Sequence, residues 1–555
     1  MKKTVTIYCK NTQSYHDFAL GTSLLEIHNS LKIKLKFNVV AARVNYKVED
    51  LNFLIYKPKD IEFIDSSIPS GMRVYVRTLS MVLAKAVNEL FPQAILQIEH
   101  PISKGYYCQI ENLQQAISAE IISNIKLKMK EIIGRNEPII CEEKQKDQVT
   151  DLFEKTLNHA SKNALFDSFG EPYLRYYRIG DFIDYYTSIL LPSTGYLDIF
   201  DLNPFYDGML LQVPNRENPS VLEDMILQPK MFDIFKEYLD WNKIMGMSSV
   251  GEFNQSTQNG QAFMMIKIAE ALHEKKVASI ADMIQHKDKV KLVLISGPSS
   301  SGKTTFSKRL SVQLMVSGLK PKALSLDNYF VNREDTPKDE NGDYDFESID
   351  AFDLAFFTEQ LKDLMSGKEI EVPTFNFEDG KRYFKGDKLK LEDDTILIME
   401  GIHALNPELT KEISDEATFK IYVSALTTIS IDEHNWIPTA DTRLLRRVIR
   451  DYRYRGYSAR ETIGRYASVR RGEEKWIFPY QENADIMFNS ALIFELAVLK
   501  RYAEPILEQV PKFCDEYTEA HRLIKFLKYF IPIQDREIPP TSLLREFVGG
   551  SSFRY

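Results

Sequence analysis

Residues 291–305 read KLVLISGPSSSGKTT, and this stretch decides how the C-terminal half of the chain folds. The apolar run Leu292 to Ile295 predicts a buried strand, and a helical pattern follows Thr304. Between them, Gly297 to Thr304 matches GxxxxGK[ST], the loop that cradles phosphate. Glycines let successive backbone N–H groups turn inward on an anion, and the following helix adds the positive end of its dipole. Lys303 is placed to reach the outer phosphates, and Thr304 offers a hydroxyl to Mg²⁺. Composition alone gives such a pattern about 0.01 times in a chain this long, so a Ser-rich turn is the weaker reading. Candidate phosphate-binding residues are Gly297, Ser299, Ser300, Ser301, Gly302, Lys303, Thr304 and Thr305.

Downstream, the short apolar runs KALSL, TILIME and FKIYVSA alternate with helical patterns, the rhythm of a parallel α/β sheet. In such sheets the C-terminal strand ends face the ligand crevice. The second strand, Ala323 to Leu326, ends in Asp327, a candidate general base. The third, Thr395 to Met399, ends in Glu400, a candidate Mg²⁺ ligand. A capping or surface role is open for either acid alone. Asp441 is suited to cap a helix on which Arg443, Arg446, Arg447 and Arg450 fall at i, i+3, i+4 and i+7. Ten arginines lie between Arg443 and Arg471, so like charges crowd one face. Phosphate clamping, pairing with local acids and an RNA-binding helix are all consistent with that face.

The remainder of the 555 residues needs further cores, since single domains cluster near ~100–200 residues. The sequence divides at residues 1–66, 67–230, 231–290 and 291–555. The first unit alternates like a β-rich module. The second is mixed α+β, with helical spacing at 81–90 and 113–133 separated by a turn at HPISKGYY. Gln261 to Ile284 predicts helical structure leading into the strand at Lys291. With 70 Lys and Arg against 79 Asp and Glu, the net charge of −9 excludes a globally basic, nucleic-acid-coated surface. Four dispersed cysteines suit a reducing compartment. No signal-peptide-like or ~18-residue apolar run occurs, so a cytoplasmic, non-membrane protein is expected.

The ordered motifs GPSSSGKTT, LSLDNYF, DFESIDAFD, VPTFNFEDGKR, ILIMEGIHAL, DTRLLRRVIRD and LLREFVGG resemble the uridine kinase and phosphoribulokinase family, across roughly residues 291 to 550. The resemblance implies a P-loop nucleoside kinase that uses ATP and Mg²⁺ to phosphorylate the 5′-hydroxyl of uridine or cytidine. It implies that Asp327 takes the hydroxyl proton and that Lys303 is catalytic. Thr304 and Glu400 are implied at Mg²⁺, and Glu347 at the ribose hydroxyls. Phe375 and Phe377 are implied at the base, Arg382 and Arg443 near the acceptor, and Arg446 and Arg447 at phosphates in a closing lid. Family members commonly oligomerise, which implies a homo-oligomer. Gly380 stands where uridine–cytidine kinases carry a base-contacting histidine, and Phe375 where they carry tyrosine. Another nucleoside or small hydroxylated metabolite is therefore an alternative acceptor.

Residues 1–66, with RVNYKVEDL, resemble the TGS domain, which implies a β-grasp fold. Residues from about 70 to 225, with ELFPQAILQIEHPISKGYY and GDFIDYYTSILLPSTG, resemble the editing domain of threonyl-tRNA synthetases. That domain uses HxxxH and CxxxH. Here those positions read Arg77, Met81, Tyr186 and Leu190, none of which supplies a neutral imidazole or thiolate. A retained fold with a lost metal site is expected. The first 77 residues carry twelve Lys and Arg against seven Asp and Glu, 12 − 7 = +5. Weak RNA or tRNA contact through residues 1–230 is therefore one expectation, and an RNA- or ribosome-associated ATP-binding regulator is the alternative class.

Overall fold

The computed structural model describes residues 3–156, 160–287, 289–339, 342–392, 394–411 and 413–554. Thr4–Cys9 alternates inward Val5, Ile7 and Cys9 with exposed neighbours, the period-two pattern of a half-buried strand. It pairs antiparallel with Ser14–Ala19 and parallel with Asp60–Asp65. Val39–Val44 and Lys47–Glu49 extend the sheet on the far side of Asp60–Asp65. The helix Leu24–Leu31 belongs to the same core, its start fixed by a capping box between Ser23 and Glu26. This is the β-grasp arrangement.

A 22-residue helix, Pro69–Leu90, then runs through the protein with most of its residues buried. The sequence pattern predicts only a turn between two helices here. The structure instead has a hairpin, Ile95–Ile102 with Gly105–Glu111, turning at Ser103 and Lys104, both at positive φ. Pro101 is accommodated because Ile95–Ile102 is the edge strand of a four-stranded sheet, where its missing N–H costs no ladder bond. The second helix begins at Ala119, capped by Ser118, rather than at Leu113. A three-stranded sheet formed by Ile140–Gln145, Tyr173–Ile179 and Phe182–Asp184 follows. Helices Pro229–Ile244, Val250–Gln258 and Ala262–Gln285 lead into the C-terminal half. No helix among the described residues is long and apolar enough to cross a membrane.

The C-terminal half is built on a five-stranded, wholly parallel sheet. Its order is Lys320–Ser325, Thr395–Glu400, Leu292–Ser296, Thr418–Ser424, Ile486–Asn489. Leu292–Ser296 is central and entirely buried, as a strand covered on both faces must be. The helix Lys303–Val316 follows it, so the loop between sits at the C-terminal edge of the sheet. The strand ends at Ser325 and Glu400 open onto that same edge. A separate hairpin, Ile370–Asn376 with Lys381–Leu389, stands beside it.

Candidate active site

Gly297 to Thr304 forms a tight loop whose glycines are demanded by space. A Cβ on Gly297 would lie 2.0 Å from the Val423 carbonyl oxygen, and Gly302 sits at φ +88. The buried Ser300 and Ser301 hydroxyls find no partner among the described residues, a cost that a bound anion would remove. Lys303 Nζ donates to the Pro298 carbonyl at 3.3 Å, and burial lowers its pKa, opposed chiefly by Glu400 and then Asp327. Thr304 Oγ1 donates to Glu400 Oε1 at 3.3 Å and Ser325 Oγ to the same oxygen at 3.2 Å. The Thr305 hydroxyl is directed elsewhere, donating to Glu546 at 2.6 Å.

Asp327 lies one residue beyond its strand, in a short 3₁₀ turn, Leu326–Tyr329. Burial raises its pKa, opposed first by Lys303 and then by Arg455 and Arg450. Burial, reinforced by Asp327, pushes Glu400 to about 7. Two carboxylates therefore share one half-buried lysine beside the phosphate loop. Both oxygen-rich groups expected at Mg²⁺, Thr304 and Glu400, touch each other, a donor set that suits a hard cation.

The helix Thr439–Tyr454 carries the arginines, but Asp441 does not cap it. The cap position is Pro438, and Asp441 sits inside the first turn, taking two bonds of 2.7 Å from Arg522. Arg443 and Arg446 are buried at 2% and 0% exposure, so neither lies on a solvated face. Arg443 pairs with Glu473, and its Nε donates to the Ser299 carbonyl at 3.1 Å. Arg446 pairs with Glu495 and reaches the Ser300 and Ser301 carbonyls at 3.4 Å. These two arginines brace the phosphate loop through its backbone carbonyls. Arg447 donates to the Ser299 hydroxyl at 3.2 Å and pairs with Asp451.

Sequence reasoning passed over Arg455. Its guanidinium lies 4.8 Å from the Phe377 ring centre and pairs with Asp451, and it faces Asp327. Arg447, Arg450 and Arg455 thus share Asp451, leaving a surplus of positive charge near Asp327 that suits a phosphate. Its sequence signal, an arginine just past the helix end, is indistinguishable from an ordinary C-terminal cation.

At the acceptor side, Glu347 is pushed up to about 7 by burial, with Arg447 opposing. Gly472 allows that approach, since a Cβ there would meet the Glu347 Cβ at 2.4 Å. Phe375 and Phe377 pack edge to face with centres 5.2 Å apart. Arg382 pairs with Asp353 at 2.9 Å and lies over Phe356. Gly380 has φ +72, and a Cβ there would meet Arg333 atoms at 2.7 Å.

Residues 292–493 match the Phosphoribulokinase / Uridine kinase family. The uridine kinase of Staphylococcus aureus strain JH9 is 32% identical over 197 residues, 35% of this chain and 86% of that protein. The chain belongs to the phosphoribulokinase and uridine kinase family. As a phosphotransferase of that family it also carries an N-terminal region similar to part of another enzyme. The threonine–tRNA ligase of Rubrobacter xylanophilus is 31% identical over 182 residues, 33% of this chain and 28% of the ligase, so the chain spans little of that enzyme's length. A solved structure described as a possible uridine kinase from Bacillus stearothermophilus covers 36% of this chain and 89% of its own, at 19% identity and TM-score 0.25.

In the N-terminal region, the structure brings together Arg77, Met81, Tyr186 and Leu190, the four positions at which the resemblance implies a lost metal site. Met81, Tyr186 and Leu190 lie in one apolar core, and Arg77 donates to the Ile189 carbonyl at 3.1 Å. No cluster of three His, Cys, Asp or Glu suited to a metal occurs among the described residues.

Proposed function

We propose that this protein transfers the γ-phosphoryl group of ATP to the 5′-hydroxyl of a nucleoside, uridine first and cytidine next, as a step of pyrimidine salvage. The observation that carries the proposal is the Asp327–Lys303–Glu400 group at the edge of the phosphate loop. Asp327, its pKa raised by burial, is a better base than an exposed aspartate and takes the hydroxyl proton. The oxygen then bonds to the γ-phosphorus as the bond to the β-phosphate oxygen breaks, and ADP leaves with that electron pair. Lys303 and the unpaired Ser300 and Ser301 hydroxyls favour the phosphates, while Arg450 and Arg455 neutralise charge on the acceptor side. Thr304 and Glu400 would hold Mg²⁺, which neutralises phosphate charge when bound. Glu347 binds the ribose hydroxyls, and Phe375 with Phe377 forms the base wall.

We assign residues 1–66 to a TGS-like domain, 67–230 to an editing-like domain without its metal, 231–290 to a helical connector and 291–555 to the kinase. The Arg333 side chain beside Gly380 favours a second reading, in which the acceptor is another nucleoside or a small hydroxylated metabolite. ADP release measured against a panel of nucleosides separates the two. Stimulation by uridine supports the first reading, stimulation only by other acceptors the second, and no stimulation by any nucleoside removes both nucleoside readings. The ligase likeness supports weak tRNA contact by residues 1–230, tested by filter binding of labelled tRNA across a salt series; absent or salt-insensitive binding counts against it.

A further inference from the structure

The segment Leu426–Pro438 links the strand Thr418–Ser424 to the arginine helix, yet its tip is buried in the N-terminal half. Lys162, fully buried, lies 3.2 Å from Asp184, 3.4 Å from Asp432 and 3.3 Å from Glu433. His434 meets Asp184 at 2.7 Å. Asn435 donates to the Tyr185 carbonyl at 2.9 Å, and Ile98 N–H donates to the Glu433 carbonyl at 2.8 Å, extending the edge strand. Trp436 packs on Tyr106 with ring centres 4.3 Å apart. One buried cation from the N-terminal half thus bridges three carboxylates drawn from both halves, where removing it would leave buried charges unpaired.

A second tie reaches the same helix at its first turn. Arg73, on the helix Pro69–Leu90, donates to Glu519 at 3.0 Å. Glu519 also pairs with Arg522, which grips Asp441 with two bonds of 2.7 Å. Between these ties, Thr427 and Thr442 share a buried hydroxyl bond of 2.7 Å. The helix held in this way presents Arg443, Arg446 and Arg447 to the phosphate loop. A module that served only as a tether would need neither contact.

We propose that the helix Pro69–Leu90, the hairpin at 95–111 and residues 160–187 form an intramolecular clamp on the arginine helix, with Lys162 and Arg73 as positioning residues that hold its guanidinium groups against the phosphate loop. The N-terminal region is then part of the catalytic architecture, acting through the helix and never touching substrate. The prediction for turnover rests on the kinase reading above, whereas the prediction for helix motion does not.

The test uses the full chain with Lys162→Met, Arg73→Ala and Arg73→Lys, each checked for folding by thermal melting. It measures kcat and KM for ATP and uridine, and amide hydrogen exchange across residues 439–455. Lys162→Met should lower kcat about tenfold and Arg73→Ala about threefold, with KM for uridine changed less than about twofold. Exchange across 439–455 should accelerate in both variants, while exchange in Leu292–Ser296 stays slow, and Arg73→Lys should restore both readings. If Lys162→Met does not fold, the partly exposed Arg73 carries the test. Unchanged kcat and unchanged 439–455 exchange in Arg73→Ala, or no recovery with Arg73→Lys, overturns the clamp. If the wild-type chain transfers no phosphate, the kinase reading falls and the exchange comparison still decides the clamp.

Discussion

Asp327 and Glu400 lie beside one lysine at the edge of the phosphate loop, and burial raises both pKa values. A base must be ionised to accept a proton, so the acid limb of kcat/KM should fall above the ordinary aspartate value of 3.8. Asp327→Asn should lower kcat by about 10³-fold or more while ATP affinity stays within about threefold, measured by turnover and nucleotide titration. Glu347 gives a stability prediction. Its carboxyl is raised from 4.5 to about 7, so its contribution to stability is full below 4.5 and is lost as pH rises through 7. Relative to wild type, Glu347→Gln should therefore gain about 1.4 kcal/mol per pH unit across that window. Urea unfolding at pH 5 and pH 8 checks this, and a pH-independent difference would oppose it. Asp327, Lys303 and Glu400 are legible from sequence because a parallel sheet brings its strand ends to one edge. Arg455 is not, because only the fold turns the chain after Tyr454 back toward Phe377.

At the scale of the element, the arginine helix shows what spacing conveys and what it omits. Periodicity puts Arg443, Arg446 and Arg447 on one face, as the structure has them. It does not show that Glu473 and Glu495, distant in sequence, are buried opposite. Arg446→Ala would strand Glu495 without its partner and should cost about 3–5 kcal/mol, read from urea midpoints. The hairpin Ile370–Asn376/Lys381–Leu389 carries a second prediction. At φ +72, Gly380→His should cost about 1–2 kcal/mol from backbone strain alone, with Arg333 crowding it further. It should leave the KM for uridine no better than wild type. An improved KM would show that Arg333 yields and that position 380 faces the base.

For the whole molecule, the order of units along the chain is legible because the phosphate loop, the β-grasp alternation and the helical runs each carry their own periodicity. The edge hairpin at 95–111 is obscured by Pro101 and Gly105, which read as a turn until the edge position of the strand is known. The docking of the loop at 432–436 into the N-terminal half is invisible to local pattern, because Lys162 and Asp432 meet across 270 residues of sequence. Metal analysis of the purified chain should find far less than one zinc, given the Met81, Tyr186 and Leu190 core. Phosphoryl transfer is read most directly by ³¹P NMR of a reaction holding the full chain, ATP, Mg²⁺ and uridine. The γ-phosphoryl signal should pass to a nucleoside 5′-monophosphate at a rate abolished by Asp327→Asn. Release of inorganic phosphate alone, or transfer undiminished in Asp327→Asn, would contradict this mechanism.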